Sequence, residues 1–133
     1  MFKKILLAID GSEHSYNSIN YTIELALKFK AKVFILTCYE VPSFYNLPIE
    51  KELYTEAEQV LLKAEKLFLQ KNIDIVKIIK KDSPSFNILE VEKEQGIDLI
   101  VMGRYGNRNI KSFLIGKEAN SVLTSSNCSI FLV

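Results

Sequence analysis

Short apolar runs alternate with longer amphipathic stretches along the 133 residues of this chain. Apolar runs of about four to eight residues are typical of buried strands, whereas apolar positions at intervals of about three or four residues are typical of helices. The pattern therefore predicts strands separated by helices. The five predicted strands cover residues 4–9, 32–39, 73–79, 98–102 and 129–133.

The same pattern predicts two long helices. Ser12 is a good N-cap for a helix over 13–30. Its apolar stripe is Tyr16, Ile19, Ile23, Ala26 and Leu27. The second helix has the clearest stripe, namely Leu53, Ala57, Val60, Ala64 and Leu67. Between the second strand and this helix, Pro42 and Pro48 predict an irregular loop over 40–48.

Two shorter helices complete the pattern. Ser83 is a capping hydroxyl that precedes Pro84, and Pro84 suits the first turn of a helix. This third helix is predicted over 86–95 and ends at Gly96. The fourth is predicted over about residues 117–125.

Strands that alternate with helices predict an α/β fold with a parallel, doubly wound sheet and helices on both faces. The chain shows no composition shift, long linker or internal repeat, so a single domain over 1–133 is expected. In such sheets, ligands bind outside the carboxyl ends of the strands, where the strand order reverses.

A glycine-punctuated loop follows the fourth predicted strand. Gly103 and Gly106 lie directly after the strand, and Gly116 precedes the last helix. Glycine lets backbone N–H groups approach a ligand closely, and a helix amino terminus presents unpaired N–H groups. The loop is therefore suited to an anion, most plausibly a phosphate.

The spacing Gly103-x2-Gly106-x9-Gly116 resembles the nucleotide-binding signature of the universal stress protein family. Residues 8–15 resemble the first strand and turn of that family, and residues 98–103 resemble its fourth strand. The resemblance covers essentially the whole chain. It implies a three-layer, five-stranded sheet of order 3-2-1-4-5 of the adenine nucleotide alpha hydrolase-like type.

The resemblance also implies the ligand and its contacts. The ligand would be an adenine nucleotide, ATP or else ADP or AMP, with Asp10 beside the ribose and phosphates through a divalent cation such as Mg²⁺ or Mn²⁺. Backbone groups at Cys38 and Met102 would contact the adenine. The candidate nucleotide-binding residues are Asp10, Cys38, Met102, Gly103, Tyr105, Gly106, Arg108, Gly116, Lys117 and Glu118.

Two of these residues have alternative interpretations. Asp10 could instead cap the first turn by accepting from backbone N–H groups, and both roles are compatible. Lys117 stands where the family has Ser or Thr. A cation in the first turn of a helix interacts unfavourably with the helix dipole, which costs about 0.3 to 1 kcal/mol. Either Lys117 reaches the phosphate as a point charge, or the chain has lost part of its triphosphate affinity.

Four cations surround the glycine loop, and they would favour a polyphosphate if they converge. They are Arg104, Arg108, Lys111 and Lys117. The alternative without a ligand is a solvated loop whose side chains point outward.

The resulting functional hypothesis is a regulatory, stress-response protein that binds ATP. Binding is expected rather than turnover, with at most weak ATP hydrolysis and no catalytic residue, because the chain has neither a Walker A motif nor a kinase motif set. The alternatives are a structural dimerisation module that binds no nucleotide and an adenylating enzyme. An adenylating enzyme would need a more glycine-rich loop than residues 10–15 provide.

Composition and charge restrict the partners further. A net charge of +1 gives no reason to expect nucleic acid, and no apolar run approaches the roughly 20 residues of a membrane span. A cytoplasmic protein is expected, with Cys38 and Cys128 as reduced core residues. The acidic residues Glu56, Glu58, Glu90 and Glu92 are expected on solvated helix faces.

The last predicted strand suggests how the chain assembles. Residues 129–133 are apolar and contain no Lys or Pro that would discourage pairing at a sheet edge. A twofold homodimer through this strand is therefore expected, as in members of the family that it resembles.

Overall fold

The computed structural model describes residues 1–44, 47–105 and 116–133. Five strands alternate with four helices in these ranges. In chain order they are β1 (Lys4–Ala8), α1 (Glu13–Phe29), β2 (Lys32–Tyr39), α2 (Leu47–Leu69), β3 (Ile75–Lys81), α3 (Pro84–Gln95), β4 (Leu99–Met102), α4 (Lys117–Ser125) and β5 (Ser129–Leu132).

The strands form one parallel sheet of order β3-β2-β1-β4-β5. β1 is central, and its Leu7 pairs with Ile35 of β2 on one side and with Val101 of β4 on the other. The predicted α/β fold, the strand order and the contact between β1 and β4 are confirmed. Because β1 and β4 are adjacent but far apart in sequence, the strand order reverses between them.

Each face of the sheet carries its own apolar core. Side chains alternate along a strand, so Ile5 and Leu7 of β1 pack under α1 and α2, whereas Leu6 packs under α3 and α4. The first core contains Phe68 and the second contains Ile88, and both side chains are fully buried or nearly so. Burial of one such side chain contributes about 1.5 to 3 kcal/mol, so these two layers hold the helices on the sheet.

Several element boundaries differ from the sequence prediction. α3 begins at Pro84 rather than at residue 86. β3 covers Ile75–Lys81 rather than 73–79, because its register continues until Lys81 lies opposite Tyr39. α2 begins at Leu47, so Pro48 lies in its first turn instead of in the preceding loop. Proline is tolerated there because the first N–H groups of a helix have no intrahelical acceptor.

The buried stripe of α2 is rotated from the predicted one. Ala57 and Ala64 are buried as expected, but the fully packed partners are Leu61 and Phe68 rather than Val60 and Leu67, which are only partly buried. The apolar residues at both sets of positions make the two stripes equivalent in sequence. Packing against the sheet decides between them.

The inner face of α1 is more polar than predicted. Leu27 is 53% exposed, whereas Ser18 and Thr22 are fully buried. Their hydroxyls donate to the backbone carbonyls of Ser15 and Ser18, respectively, one turn earlier. Buried hydroxyls are tolerated when they are hydrogen-bonded in this way.

One predicted surface residue is buried. Glu92 of α3 is 7% exposed, and its Oε1 accepts from the backbone N of Asn127 at 2.8 Å and from Ser126 Oγ at 3.1 Å. The prediction of a solvated Glu92 is therefore wrong, because hydrogen bonds from the turn after α4 compensate its desolvation. No helix within the described ranges is long and apolar enough to cross a membrane.

Candidate functional site

The turn after β1 is closed by its own residues. Asp10 Oδ1 accepts from Ser12 N at 2.9 Å, and Gly11 takes a φ of +83° between them. Ser12 is the N-cap of α1 and its Oγ accepts from Ser15 N at 3.2 Å. The alternative role of Asp10 as a cap of the first turn is thus confirmed.

Asp10 is half-buried. Burial and, second, the charge of Asp10 raise the pKa of the Tyr16 phenol. The ammonium group of Lys63 lies 4.5 Å from the centroid of the Tyr16 ring, at cation–π distance. The charge of Asp10 therefore acts on Tyr16, whose ring also faces the cation of Lys63.

The turn after β4 is closed by residues that are distant in sequence. Arg104 N donates to Val133 O at 3.1 Å, which extends the pairing of β4 with the C-terminal strand. Gly116 N donates to Arg104 O at 2.7 Å. This bond joins the residue before segment 105–115 to the residue after it. The N–H of Gly116 is thereby occupied.

α4 begins beside this bond. Gly116 is its N-cap and provides no side-chain hydrogen bond. The N–H groups of the first three helical residues, from Lys117 onward, have no intrahelical acceptor. Lys117 itself is exposed. The first turn of α4 thus combines backbone donors that have no acceptor within the helix with one side-chain cation.

Glu118 turns away from that first turn toward α3. Its Oε2 accepts from Ser85 N at 2.7 Å in a part-buried position. Ser85 is the second residue of α3, so its N–H has no acceptor within its own helix. The carboxylate of Glu118 is therefore engaged by the protein itself.

The end of β2 completes this edge of the sheet. The amide of Asn87 lies 3.7 Å from Cys38 Sγ and also donates to Lys81 O at 2.9 Å. The pKa of the Cys38 thiol is raised to about 11; burial is the largest cause, and the charge of Glu118 contributes to the increase. Cys38 is consequently a protonated thiol near neutral pH, as expected for a reduced core residue.

The topology brings several predicted site residues to one edge. Asp10 comes two residues after β1, Cys38 lies near the end of β2, and Met102 ends β4, with Gly103 directly after it. Met102 is buried, Gly103 and Tyr105 are half-buried, and Arg104 is exposed. Gly106, Arg108 and Lys111 lie outside the described residues.

Sequence reasoning missed two residues of this edge, Ser85 and Asn87. Asn87 is 6% exposed and directly precedes the buried apolar residue Ile88, and a polar residue at that place in the helix is the signal that could have found it. Ser85 participates through its backbone N–H, which any residue except proline carries. No sequence pattern could have indicated it.

The concavities formed by the described residues lie away from this edge of the sheet. One concavity is lined by residues between 26 and 32 and by residues 72–76, and another by α3 and the turn after α4. Both lie at the amino ends of the strands. Across 1–44, 47–105 and 116–133, no three His, Cys, Asp or Glu side chains come together as a metal-binding group.

Comparison with known proteins identifies relatives over the full length. The model of the universal stress protein family matches residues 1–133. The chain is 28% identical over 140 residues to universal stress protein MJ0531 of Methanocaldococcus jannaschii, covering 100% of this chain and 82% of that protein. It is also 28% identical over 147 residues to universal stress protein YxiE of Bacillus subtilis, covering 100% and 99%.

Solved structures share the fold. The MJ0577 protein of M. jannaschii has a TM-score of 0.90 at 23% identity, covering 100% of this chain and 96% of its own. A universal stress protein in complex with cAMP has a TM-score of 0.80 at 21% identity, covering 99% and 97%. The Archaeoglobus fulgidus universal stress protein in complex with dAMP has a TM-score of 0.75 at 16% identity, covering 99% and 97%.

Proposed function

The chain belongs to the universal stress protein family, and we propose that it is a regulatory, stress-response protein that binds an adenine nucleotide, foremost ATP. The ligand would lie across the crevice at the carboxyl ends of β1 and β4. Two structural neighbours were solved with adenine nucleotides, cAMP and dAMP, which supports this ligand class.

One observation carries the proposal. β1 and β4 are neighbours at the point where the strand order reverses, and Gly116 N bonds to Arg104 O just after β4, which supports a site between Asp10 and the first turn of α4. An anion at that turn would accept from its unpaired N–H groups. Asp10 Oδ1 is taken by Ser12 N, and its second oxygen is then suited to a divalent cation whose remaining ligands are phosphate oxygens and water.

Nucleotide titrations test the proposal directly. Unfolding midpoints would be measured with ATP, ADP, AMP and cAMP, each with Mg²⁺ and with EDTA. A ligand at about 100 times its Kd stabilises a protein by about 2.7 kcal/mol. Stabilisation that increases with phosphate number supports ATP as the ligand. If no nucleotide stabilises the protein, the structural dimerisation module becomes the better description.

Lys117 is proposed to act on the phosphates as a point charge, because it is exposed at the first turn of α4. Lys117→Ala is then expected to weaken ATP binding more than AMP binding. Lys117→Ser introduces the hydroxyl that the family signature has at this position. Tighter ATP binding by Lys117→Ser would show instead that the lysine has lowered triphosphate affinity.

The Asp10 carboxylate is tested by Asp10→Asn. Asparagine keeps the oxygen that accepts from Ser12 N, so the turn is preserved. The substitution removes the negative charge and replaces the second carboxylate oxygen by an NH2 group. We expect it to reduce the difference in ATP affinity between Mg²⁺ and EDTA, as measured by calorimetry. An unchanged Mg²⁺ effect would leave Asp10 with its capping role alone.

We also propose a twofold homodimer through the strand at 129–133. β5 is an edge strand, and Phe131 on it is 36% exposed, with its ring 5.4 Å from that of Tyr21. Phe131→Lys should shift sedimentation toward the monomer, because charges on an edge strand discourage pairing. Leu27→Lys, at an exposed leucine on α1, is the matched control. A wild-type monomer at micromolar concentration would remove this proposal.

A further inference from the structure

Two carboxylates tie α3 to α4 at opposite ends of the helix pair. Near the amino ends, Glu118 Oε2 of α4 accepts from Ser85 N of α3 at 2.7 Å. Near the carboxyl ends, Glu92 Oε1 of α3 accepts from Asn127 N at 2.8 Å and from Ser126 Oγ at 3.1 Å. The two helices therefore run side by side in the same direction, with a charge-assisted hydrogen bond at each end.

The bond at the amino ends completes the capping of α3. The first turn of α3 contains no acidic residue, and Ser83 Oγ accepts from Phe86 N at 3.3 Å. The N–H of Ser85 is left for an acceptor from outside the helix. Glu118 supplies that acceptor together with the negative charge that a helix amino terminus favours.

α4 in turn depends on tertiary contacts for its orientation. It has nine residues, and its N-cap Gly116 provides no side-chain hydrogen bond. Isolated helices of this length are unstable in water. Gly116 N bonds to Arg104 O, and Glu118 in the following turn bonds to α3. These two bonds hold the turn whose backbone amides are the proposed phosphate donors.

We propose that Glu118 is a positioning residue for the nucleotide: it fixes the first turn of α4 against α3 and does not itself touch the ligand. This inference rests on the nucleotide-binding function proposed above. A positioning role requires an oxygen that reaches Ser85 N, and the amide oxygen of glutamine reaches as far as the carboxylate. A direct role toward a ribose or a metal ion would require the negative charge instead.

Three variants separate these roles. Glu118→Gln keeps the reach and loses the charge, Glu118→Asp keeps the charge and loses the reach, and Glu118→Ala loses both. Calorimetry would give the Kd for ATP and AMP. We expect Glu118→Gln to bind within about threefold of wild type, and Glu118→Asp and Glu118→Ala to bind about tenfold more weakly, as for one lost hydrogen bond to a charged group.

Hydrogen exchange of the ligand-free protein gives a second readout. The amide of Ser85 is expected to exchange faster in Glu118→Asp and Glu118→Ala than in wild type, and at the wild-type rate in Glu118→Gln. This measurement requires no nucleotide. It therefore tests the bond between Glu118 and Ser85 even if the binding function fails.

Two controls match the charge change. Glu92→Ala breaks the tie at the other end of α3 and α4, and Glu58→Ala removes an exposed carboxylate from α2. Both should keep the wild-type Kd. Wild-type affinity in Glu118→Ala, or equal losses in Glu118→Gln and Glu118→Ala, would overturn the positioning role. Absence of binding by the wild-type protein would overturn the proposed function itself.

Discussion

The two βα turns that border the crevice are built in opposite ways. After β1, Asp10 and Ser12 close the turn with hydrogen bonds to residues two and three positions away. After β4, the turn is closed through Val133 and through Glu118, whose partner Ser85 is 33 residues away in sequence. The first turn is self-contained, whereas the second depends on α3 and on the C-terminal strand.

The difference shows that local hydrogen bonds hold the turn after β1, whereas contacts between segments distant in sequence hold the turn after β4. Local caps form with their own helix and are independent of distant packing. In the proposed function, the Asp10 side of the site would rest on local hydrogen bonds, and the α4 side would rest on contacts with α3 and the C-terminal strand.

The largest expected effect is a loss of stability when the glycine in the first turn, Gly11, is replaced. A Cβ on Gly11 would lie 3.0 Å from Val60 Cγ2, at a φ of +83°. Gly11→Ala should therefore lower the free energy of unfolding by about 2 kcal/mol, because the left-handed conformation alone costs an alanine about 1 to 2 kcal/mol. Urea titration measures this change.

Gly103→Ala is the matched control in the second turn. A Cβ on Gly103 would lie 3.5 Å from Tyr105 O, an ordinary contact, and the backbone there does not require a positive φ. Its free energy of unfolding should change by less than about 0.5 kcal/mol, as for most substitutions without a specific cause. Equal losses in the two variants would contradict the contrast between the turns.

A smaller effect is expected from the local cap of α1. Ser12→Ala removes the oxygen that accepts from Ser15 N, and this should lower the free energy of unfolding by about 1 kcal/mol. Ser12→Gly should cost only a few tenths of a kcal/mol, because glycine is a tolerable N-cap. If the turn after β1 is independent of the turn after β4, neither variant changes hydrogen exchange at the start of α4. A change there would contradict the prediction.

The smallest effect is a change in the pKa of the Cys38 thiol. Burial holds this pKa at about 11, and the Glu118 charge contributes to the increase. Glu118→Gln should therefore lower the pKa, while Asp10→Asn should not change it. Alkylation rates against pH in a Cys128→Ser background measure it. If the pKa is the same in Glu118→Gln and in wild type, the charge of Glu118 does not act on the Cys38 thiol.

The same thiol makes stability depend on pH in alkaline solution. Its pKa in the folded protein, about 11, lies above the ordinary value of 9.0. The unfolded chain therefore loses this proton first, so stability from the thiol is complete below pH 9 and is lost as pH rises toward 11. Cys38→Ala should reduce the slope of unfolding free energy against pH in this window.

The elements and their order followed from local patterns. Ser12, Ser83 and Gly96 indicated helix ends correctly because capping depends on a few neighbouring residues. Buried apolar runs indicated β1 and β4 for a similar reason. The alternation of strands and helices then limited the fold to a parallel, doubly wound sheet. The order 3-2-1-4-5 came from the family resemblance.

The predictions of burial are wrong where the sequence is compatible with two arrangements. Residues Val60 and Leu61 are both apolar, and only packing on the sheet selected the buried stripe of α2. Glu92 was assigned to solvent because its charge is visible in the sequence, while its donors Ser126 and Asn127 follow a different helix. Such partners are set by the approach of α3 to α4.

By itself, the sequence determined the kinds of elements, their caps and the self-contained turn at Asp10, because each depends on residues within a few positions. The tertiary structure alone decided that Glu118 caps α3, that Gly116 bonds to Arg104, and that Glu92 is buried. Those contacts join segments that are distant in sequence, and they form only after sheet and helix packing has brought the backbones within hydrogen-bond range.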